Sequence, residues 1–174
     1  MANEELLRKI ELFAEMTDEE LQAVGKCIDE EIVQADQTVI EEGKPGKALY
    51  LIKTGKVQIM KNLGKSEIAI AELQAGSAFG EMSLLDDFPS SASVKTVEES
   101  EFLTIGRLDL NVLLNWDTVL ASKMWRSFAR MLSGRLRDAN NKITDSLLMK
   151  QKDKKTREVT KDILATSHRG DTGN

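Results

Sequence analysis

The sequence predicts a mainly β domain with helices at both ends, and three observations carry that prediction. Between Ile32 and Ile105, short β-rich runs alternate with glycine-marked turns. Before them a helical periodicity is interrupted once, around Met16 and Thr17, and after Arg107 a second helical pattern runs for more than thirty residues without a proline.

The N-terminal helices, over about 4–28, follow from Leu6, Leu7, Ile10, Leu12, Phe13, Leu21, Val24 and Ile28 recurring at helical spacings. Thr17 followed by Asp18, Glu19 and Glu20 fits an N-cap with a capping-box carboxylate, so two short helices are expected. A β region over about 31–106 is read from Thr38 to Glu41, Ala48 to Lys53, Lys56 to Lys61, Glu67 to Leu73, Ser91 to Val97 and Glu101 to Ile105. Such runs describe an all-β roll, barrel or sandwich. Gly43, Pro45 and Gly46 mark one turn, and Thr54-Gly55 separates two strand runs as a tight hairpin would. These glycines are read as turns, not as binding loops.

A long helix is expected over about 117–148. Ala121, Trp125, Phe128, Leu132, Leu136, Ala139, Ile143 and Leu147 follow steps of three and four and keep an apolar stripe on one face. One small barrel cannot cover a stripe of that length, so a homodimer through a parallel two-helix seam is expected. The competing readings are a fold-back over the barrel and docking on a different protein. Residues 1–148 are thus read as one domain, and 149–174 as a loose, polar, basic tail with Lys150, Lys152, Lys154, Lys155 and Arg157. The Arg169-Gly170-Asp171 triplet is read as coincidence.

Composition narrows the function. The net charge of −5 divides into −11 over residues 1–116 and +6 over residues 117–174. The acidic body repels phosphates that lack a local positive partner, whereas the basic end can meet an anionic surface. Any nucleic acid it held loosely would be released steeply by salt. A polar end without two packed amphipathic helices argues against sequence-specific DNA binding. No run of eighteen apolar residues and no basic-then-apolar N-terminus occur, so neither a membrane span nor a secretory signal is expected, and the reading is cytoplasmic. Cys27 is the only cysteine and His168 the only histidine, which excludes an internal disulfide and the usual thiolate or imidazole metal sites. Cys27 is read as a small packed residue. No nucleophile and base stand at meaningful spacing and no phosphate loop of the Gly-Lys-Ser/Thr kind occurs, so the chain is not read as an enzyme and no cofactor is expected.

One stretch stands apart: Phe79-Gly80-Glu81-Met82-Ser83-Leu84-Leu85-Asp86-Asp87-Phe88-Pro89-Ser90-Ser91-Ala92-Ser93-Val94. Gly80 permits close backbone approach, and Glu81 to Leu85 can make one helical turn. The stretch resembles the phosphate-binding cassette of the cyclic-nucleotide-binding domain family, F-G-E-[apolar]-[small]-L, a spacer, then P-R-[small]-A-[Thr/Ser]-[Val/Ile]. The run from Val39 to Gly46 and the run from Leu49 to Val57 are similar to that family's early strands and turns. The similarity covers roughly residues 5–148.

The resemblance implies a double-stranded β-helix, of the β-roll or jelly-roll kind, with N-terminal helices and a long C-terminal helix. It also implies a pocket for cAMP or cGMP. Phe79, Gly80, Glu81, Met82 and Ser83 open the cassette, and Glu81 matches the glutamate that accepts from the ribose 2′-hydroxyl. Gly80, Ser91 and Ala92 match positions facing the sugar and the cyclic phosphate. Ile59 and Leu73 match apolar walls beside the base, and Asn140 falls near a base-contacting polar residue of the long helix, which would couple binding to dimer geometry.

Ser90 departs from the family, which has an arginine there. A guanidinium is a two-pronged permanent cation, and serine is one short neutral hydroxyl. A hydrogen bond to a charged group contributes about 1.5–3 kcal/mol, so its loss weakens binding roughly ten- to hundredfold. Asp86 and Asp87 add like charge, and Lys95 would have to turn inward to help. Weak binding or none is expected unless a lysine or arginine from elsewhere replaces the missing charge, and two readings follow: a weak cyclic-nucleotide sensor that moves the long helix, resting on Glu81 and Ser91, or a degenerate domain that binds no nucleotide and serves dimerisation or docking.

Overall fold

The computed structural model describes residues 2–167, with side chains over 5–152. Two compact units divide it, one running to Met131 and one beginning at Leu132. The chain starts with α1 (Ala2–Lys9), a short 3-10 turn (Glu11–Phe13) and α2 (Asp18–Gly25). The expected capping box is present: the Glu20 amide donates to Thr17 Oγ1 at 3.3 Å and the Thr17 amide to the Glu20 carboxylate at 2.7 Å. Leu7, Ile10, Leu12, Phe13, Leu21 and Val24 turn inward into one buried cluster.

Eight strands follow: β1 (Asp29–Val33), β2 (Thr38–Ile40), β3 (Ala48–Thr54), β4 (Lys56–Asn62), β5 (Glu67–Gln74), β6 (Ala78–Phe79), β7 (Ser93–Thr96) and β8 (Ser100–Gly106), with a one-turn helix α3 (Met82–Leu85) between β6 and β7. They form two antiparallel four-stranded sheets, ordered β1-β8-β3-β6 and β2-β7-β4-β5. This is the roll with flanking helices that the cassette resemblance implied.

One local expectation is overturned. Thr54-Gly55 is not a hairpin within a sheet, because β3 pairs with β6 and β8 whereas β4 pairs with β5 and β7. Gly55 is the corner where the chain passes between sheets. Its φ is +91°, and a Cβ there would stand 2.7 Å from Ser100 Cα, so glycine alone fits. A sheet-switching corner and a hairpin share the same local signal, and only the distant partners of each strand tell them apart.

Alternation explains the core. On β3 and β8, Leu49, Leu51, Leu103 and Ile105 join the helical cluster, while Tyr50, Ile52 and Phe102 face the inside of the roll with Val57, Phe79 and Val94. The Tyr50 and Phe79 rings stack at 5.0 Å, with Phe102 set edge-on to both. A strand buried on both faces reads as a continuous apolar run, as β3 does.

After the roll come α4 (Arg107–Trp116) and α5 (Thr118–Ser167). Asp117 breaks them with extended backbone, and its Oδ1 accepts from the Val119 and Leu120 amides at 2.8 and 3.1 Å. In the first unit, the buried face of α5 is Leu120, Ala121, Met124 and Phe128, with Trp125 about half exposed. The expected stripe is therefore rotated toward Met124. Lys123 anchors this part of α5 to Glu20 of α2 at 2.7 Å, in a largely buried pair. Arg130 and Arg126 both reach Glu15, and the paired Arg130 guanidinium holds the Glu15 carboxyl below its usual range.

In the second unit, α5 continues through the segment whose polarity pointed to a loose tail, and Leu136, Ile143, Leu147, Leu148 and Met149 are exposed along it. His168 and Arg169-Gly170-Asp171 lie outside the described residues. Among the described residues, no helix is long and apolar enough to cross a membrane. Cys27 is a free thiol partly buried against the helical cluster, and burial, with Asp109 second, pushes its pKa up, which disfavours the reactive thiolate.

Candidate functional site

The segment 79–94 leaves the first sheet at β6 and enters the second at β7, so it closes the roll from one side. Gly80 makes that path possible. Its φ is +86°, and a Cβ would sit 2.7 Å from the Ala48 carbonyl and 3.3 Å from the Tyr50 ring. Glu81, buried, precedes α3, which buries Ser83 and Leu84 and leaves Met82 exposed.

Two sets of contacts hold the segment. At its first end, the Arg107 guanidinium donates to the Ser83 carbonyl at 2.6 Å, to the Gly46 carbonyl at 3.1 Å and to the Asp87 carboxylate. Asp87 takes a positive φ of 58°, a conformation Asp tolerates better than most residues. At the second end, the Ser90 amide donates to the Lys44 carbonyl and the Gly43 amide to the Ser90 carbonyl, both at 2.8 Å. The Glu42 amide donates to Ser93 Oγ at 3.0 Å.

The sequence-derived positions separate in this frame. Phe79 is buried within the aromatic cluster, and Ile59 and Leu73 pack against the same cluster from β4 and β5. Gly80, Glu81, Ser91 and Ala92 follow one another along the cassette. Ser91 is exposed, and its Oγ lies 3.9 Å from Met82 Sδ. Ser90 Oγ is buried with no hydrogen-bond partner. Asn140 belongs to the second unit, exposed on α5, with its carbonyl accepting from Thr144 Oγ1 at 3.0 Å.

The electrostatics differ from the simple sequence picture. Asp87 does not add free negative charge, because Arg107 pairs with it, and Asp86 Oδ1 accepts from the Phe88 amide at 3.0 Å. Lys95 stands opposite Gln58 on β4, whereas its neighbour Val94 stands opposite Ile59 and is buried. By strand alternation Lys95 therefore lies on the outer face.

Besides Arg107 at the first end, Lys61 reaches the second end of the cassette, with its Nζ 2.6 Å from the Ser91 carbonyl and 2.5 Å from Glu42 Oε1. Glu42 Oε2 also accepts from the Asn62 amide at 3.0 Å. The Lys61 hydrogen bond, then the Asn62 amide, hold the Glu42 carboxyl below its usual range. Lys61, Glu42 and Arg107 were not singled out from sequence. The one signal available was a lysine two residues beyond Ile59, on the face of β4 whose other members are apolar.

Comparison with known proteins agrees with this arrangement. The profile of the cyclic nucleotide-binding domain family matches residues 30–117. The cyclic AMP receptor protein of Thermus thermophilus is 34% identical over 130 residues, covering 74% of this chain and 58% of that protein. A cAMP-dependent protein kinase regulatory subunit of Yarrowia lipolytica is 29% identical over 101 residues, covering 58% of this chain and 26% of that one. The crystal structure of a cyclic nucleotide-binding domain from Methylobacillus flagellatus superposes with a TM-score of 0.74 at 31% identity, covering 82% of this chain and 80% of that one. The chain spans less than two thirds of the length of these two curated relatives. With two antiparallel sheets closed by a glycine-initiated cassette and with the family profile matched from β1 to the end of α4, the chain belongs to the cyclic nucleotide-binding domain family.

Proposed function

We propose that this chain is a non-catalytic regulatory module that binds a cyclic purine nucleotide, cAMP or cGMP, against the cassette. The observation that carries this reading is the cassette itself: Gly80 at positive φ is followed by a buried Glu81 while Ser91 stays exposed, and Phe79 at its start belongs to an apolar cluster against which Ile59 and Leu73 pack. A carboxylate suits a ribose hydroxyl and an apolar wall suits a base face. The curated relatives named above are a cyclic AMP receptor and a cAMP-dependent kinase regulatory subunit, which supports a ligand of that class. Residues 1–148 are the functional domain in this reading, and binding is relayed through α5 as the seam of a homodimer.

The test is residue-resolved. Adding cAMP or cGMP to labelled protein should shift the amide resonances of Gly80, Glu81, Ser91 and Ala92, while linear AMP at the same concentration leaves them in place. Shifts confined to exposed loops elsewhere would contradict the assignment. For the seam, light scattering at micromolar concentration should give a dimer, and Leu136→Glu with Ile143→Glu should give a monomer. A monomeric parent protein would remove the seam.

A second reading has one observation behind it. Ser90 stands where the family has arginine, with its hydroxyl buried and unpartnered. On that ground the domain is a degenerate member that binds no nucleotide and acts by dimerising or docking on another protein, and the amide shifts would then be missing for every nucleotide.

A further inference from the structure

Ser90 brings no charge to the cassette, and a lysine approaches it from β4. Val57, Ile59 and Lys61 lie on one face of β4. Val57 is buried, and Ile59 packs against the cluster inside the roll, so alternation sets Lys61 on the same inward face. The ladder pairs Ile59 with Val94 and Met60 with Ser93, and one further step brings Lys61 level with the cassette. Its Nζ is there, 2.6 Å from the Ser91 carbonyl.

Glu42 holds Lys61 in place. One carboxylate oxygen lies 2.5 Å from Nζ and the other accepts from the amide of Asn62, next to Lys61. An ammonium has three donors. Glu42 and the Ser91 carbonyl take two, which leaves one N–H for a phosphate oxygen at the residue whose hydroxyl and backbone the cassette offers to that same group.

We infer that Lys61 supplies the positive charge for the cyclic phosphate that Ser90 does not, with Glu42 as its positioning residue. This rests on the proposed function, since it names the charge donor of the same site. A lysine is a point charge rather than a planar fork, and its pairing with Glu42 leaves less net attraction than a free guanidinium would exert. Binding is therefore weaker than an arginine-bearing cassette would give, but not lost.

The experiment is calorimetric titration of ligand-free full chain with cAMP and cGMP in four forms: wild type, Lys61→Met, Lys61→Arg, and Lys61→Met with Ser90→Arg. Wild type should bind. Lys61→Met should lose roughly ten- to hundredfold in affinity, Lys61→Arg should stay within a few fold, and Ser90→Arg should restore binding to the Lys61→Met protein. That rescue separates charge supply from a structural tie, because arginine at position 90 restores a cation without restoring the bond between Lys61 and the Ser91 carbonyl. If wild type and Lys61→Met bind equally, Lys61 is not the charge donor and the nucleotide-binding reading stands. If the rescued double variant binds and wild type does not, Lys61 is insufficient and the degenerate reading holds. If no form binds, the nucleotide-binding reading fails, and the role of Lys61 with it.

Discussion

The two sheets of the roll are built alike and used differently. In the sheet β1-β8-β3-β6 the central strands β8 and β3 are covered on both faces, with Leu49, Leu51, Leu103 and Ile105 under the helices and Tyr50, Ile52 and Phe102 inside the roll beside Phe79 of β6, while the edge strand β1 is exposed. The sheet β2-β7-β4-β5 is covered on one face only, and β5 in particular leaves Ile68 and Ile70 nearly half exposed. Lys61, Ile59 and Leu73 all belong to this second sheet. On β3 and β8 the charged residues stand near the strand ends, where Lys53 and Glu101 pair at 3.1 Å, whereas β4 carries Lys61 at its far end, beside the Ser91 carbonyl. In the proposed reading the first sheet is scaffold and the second carries Lys61, Ile59 and Leu73 toward the ligand.

That division can be broken most directly through stability. Phe102→Ala, in the covered sheet, should cost about 3–5 kcal/mol in chemical denaturation. Ile68→Ala, on the exposed face of β5, should stay within about 0.5 kcal/mol. Comparable losses for the two would abolish the distinction. The joint between the sheets should respond next. Gly80→Ala forces a side chain into positive φ against the Ala48 carbonyl, which should cost on the order of 1–3 kcal/mol and weaken nucleotide binding with it. Unchanged binding would place the ligand away from the cassette.

Ser90→Ala sharpens the comparison in the opposite direction. Ser90 Oγ is buried without a partner, so removing it should stabilise the ligand-free protein by about 1 kcal/mol. Destabilisation by that amount would mean the hydroxyl has a partner after all. The smallest effect is with pH. The Glu42 carboxyl is held below its ordinary value of 4.5 mainly by Lys61, so its contribution is present above that value and lost as the pH falls through the lowered one. The contribution of the pair to stability, read by chemical denaturation, should therefore be flat from roughly pH 5 to 8 and be lost only in more acid solution. A midpoint near neutrality would implicate a different group.

Much of this was legible in the chain, and the parts that were not share a cause. The capping box at Thr17 and Glu20, the strand runs of β3, β4, β5 and β8, and the cassette from Phe79 to Val94 are local signals, and each appears where the residues put it. Strand β1 escaped because Asp29-Glu30-Glu31 reads as a polar loop, and only its pairing with β8 makes it a strand. Strand β6 is two residues long and has no periodicity to detect. The sheet change at Gly55, the Arg107 bonds to Ser83 and Gly46, and the approach of Lys61 to Ser91 all depend on partners far away in sequence. The buried face of α5 rotated toward Met124 for a related reason: its early turns pack on α2, through Lys123 and Glu20, rather than on the surface of an isolated helix.

The most direct measurement is the affinity of the unmodified, ligand-free chain for cAMP and cGMP by titration calorimetry at physiological salt, beside Ser90→Arg. Saturable binding at one nucleotide per chain with a micromolar dissociation constant, roughly −8 kcal/mol at 1 μM, and tighter binding by the variant, is the expected result. No heat from either protein at millimolar nucleotide would contradict the assignment of the cassette as a cyclic-nucleotide site.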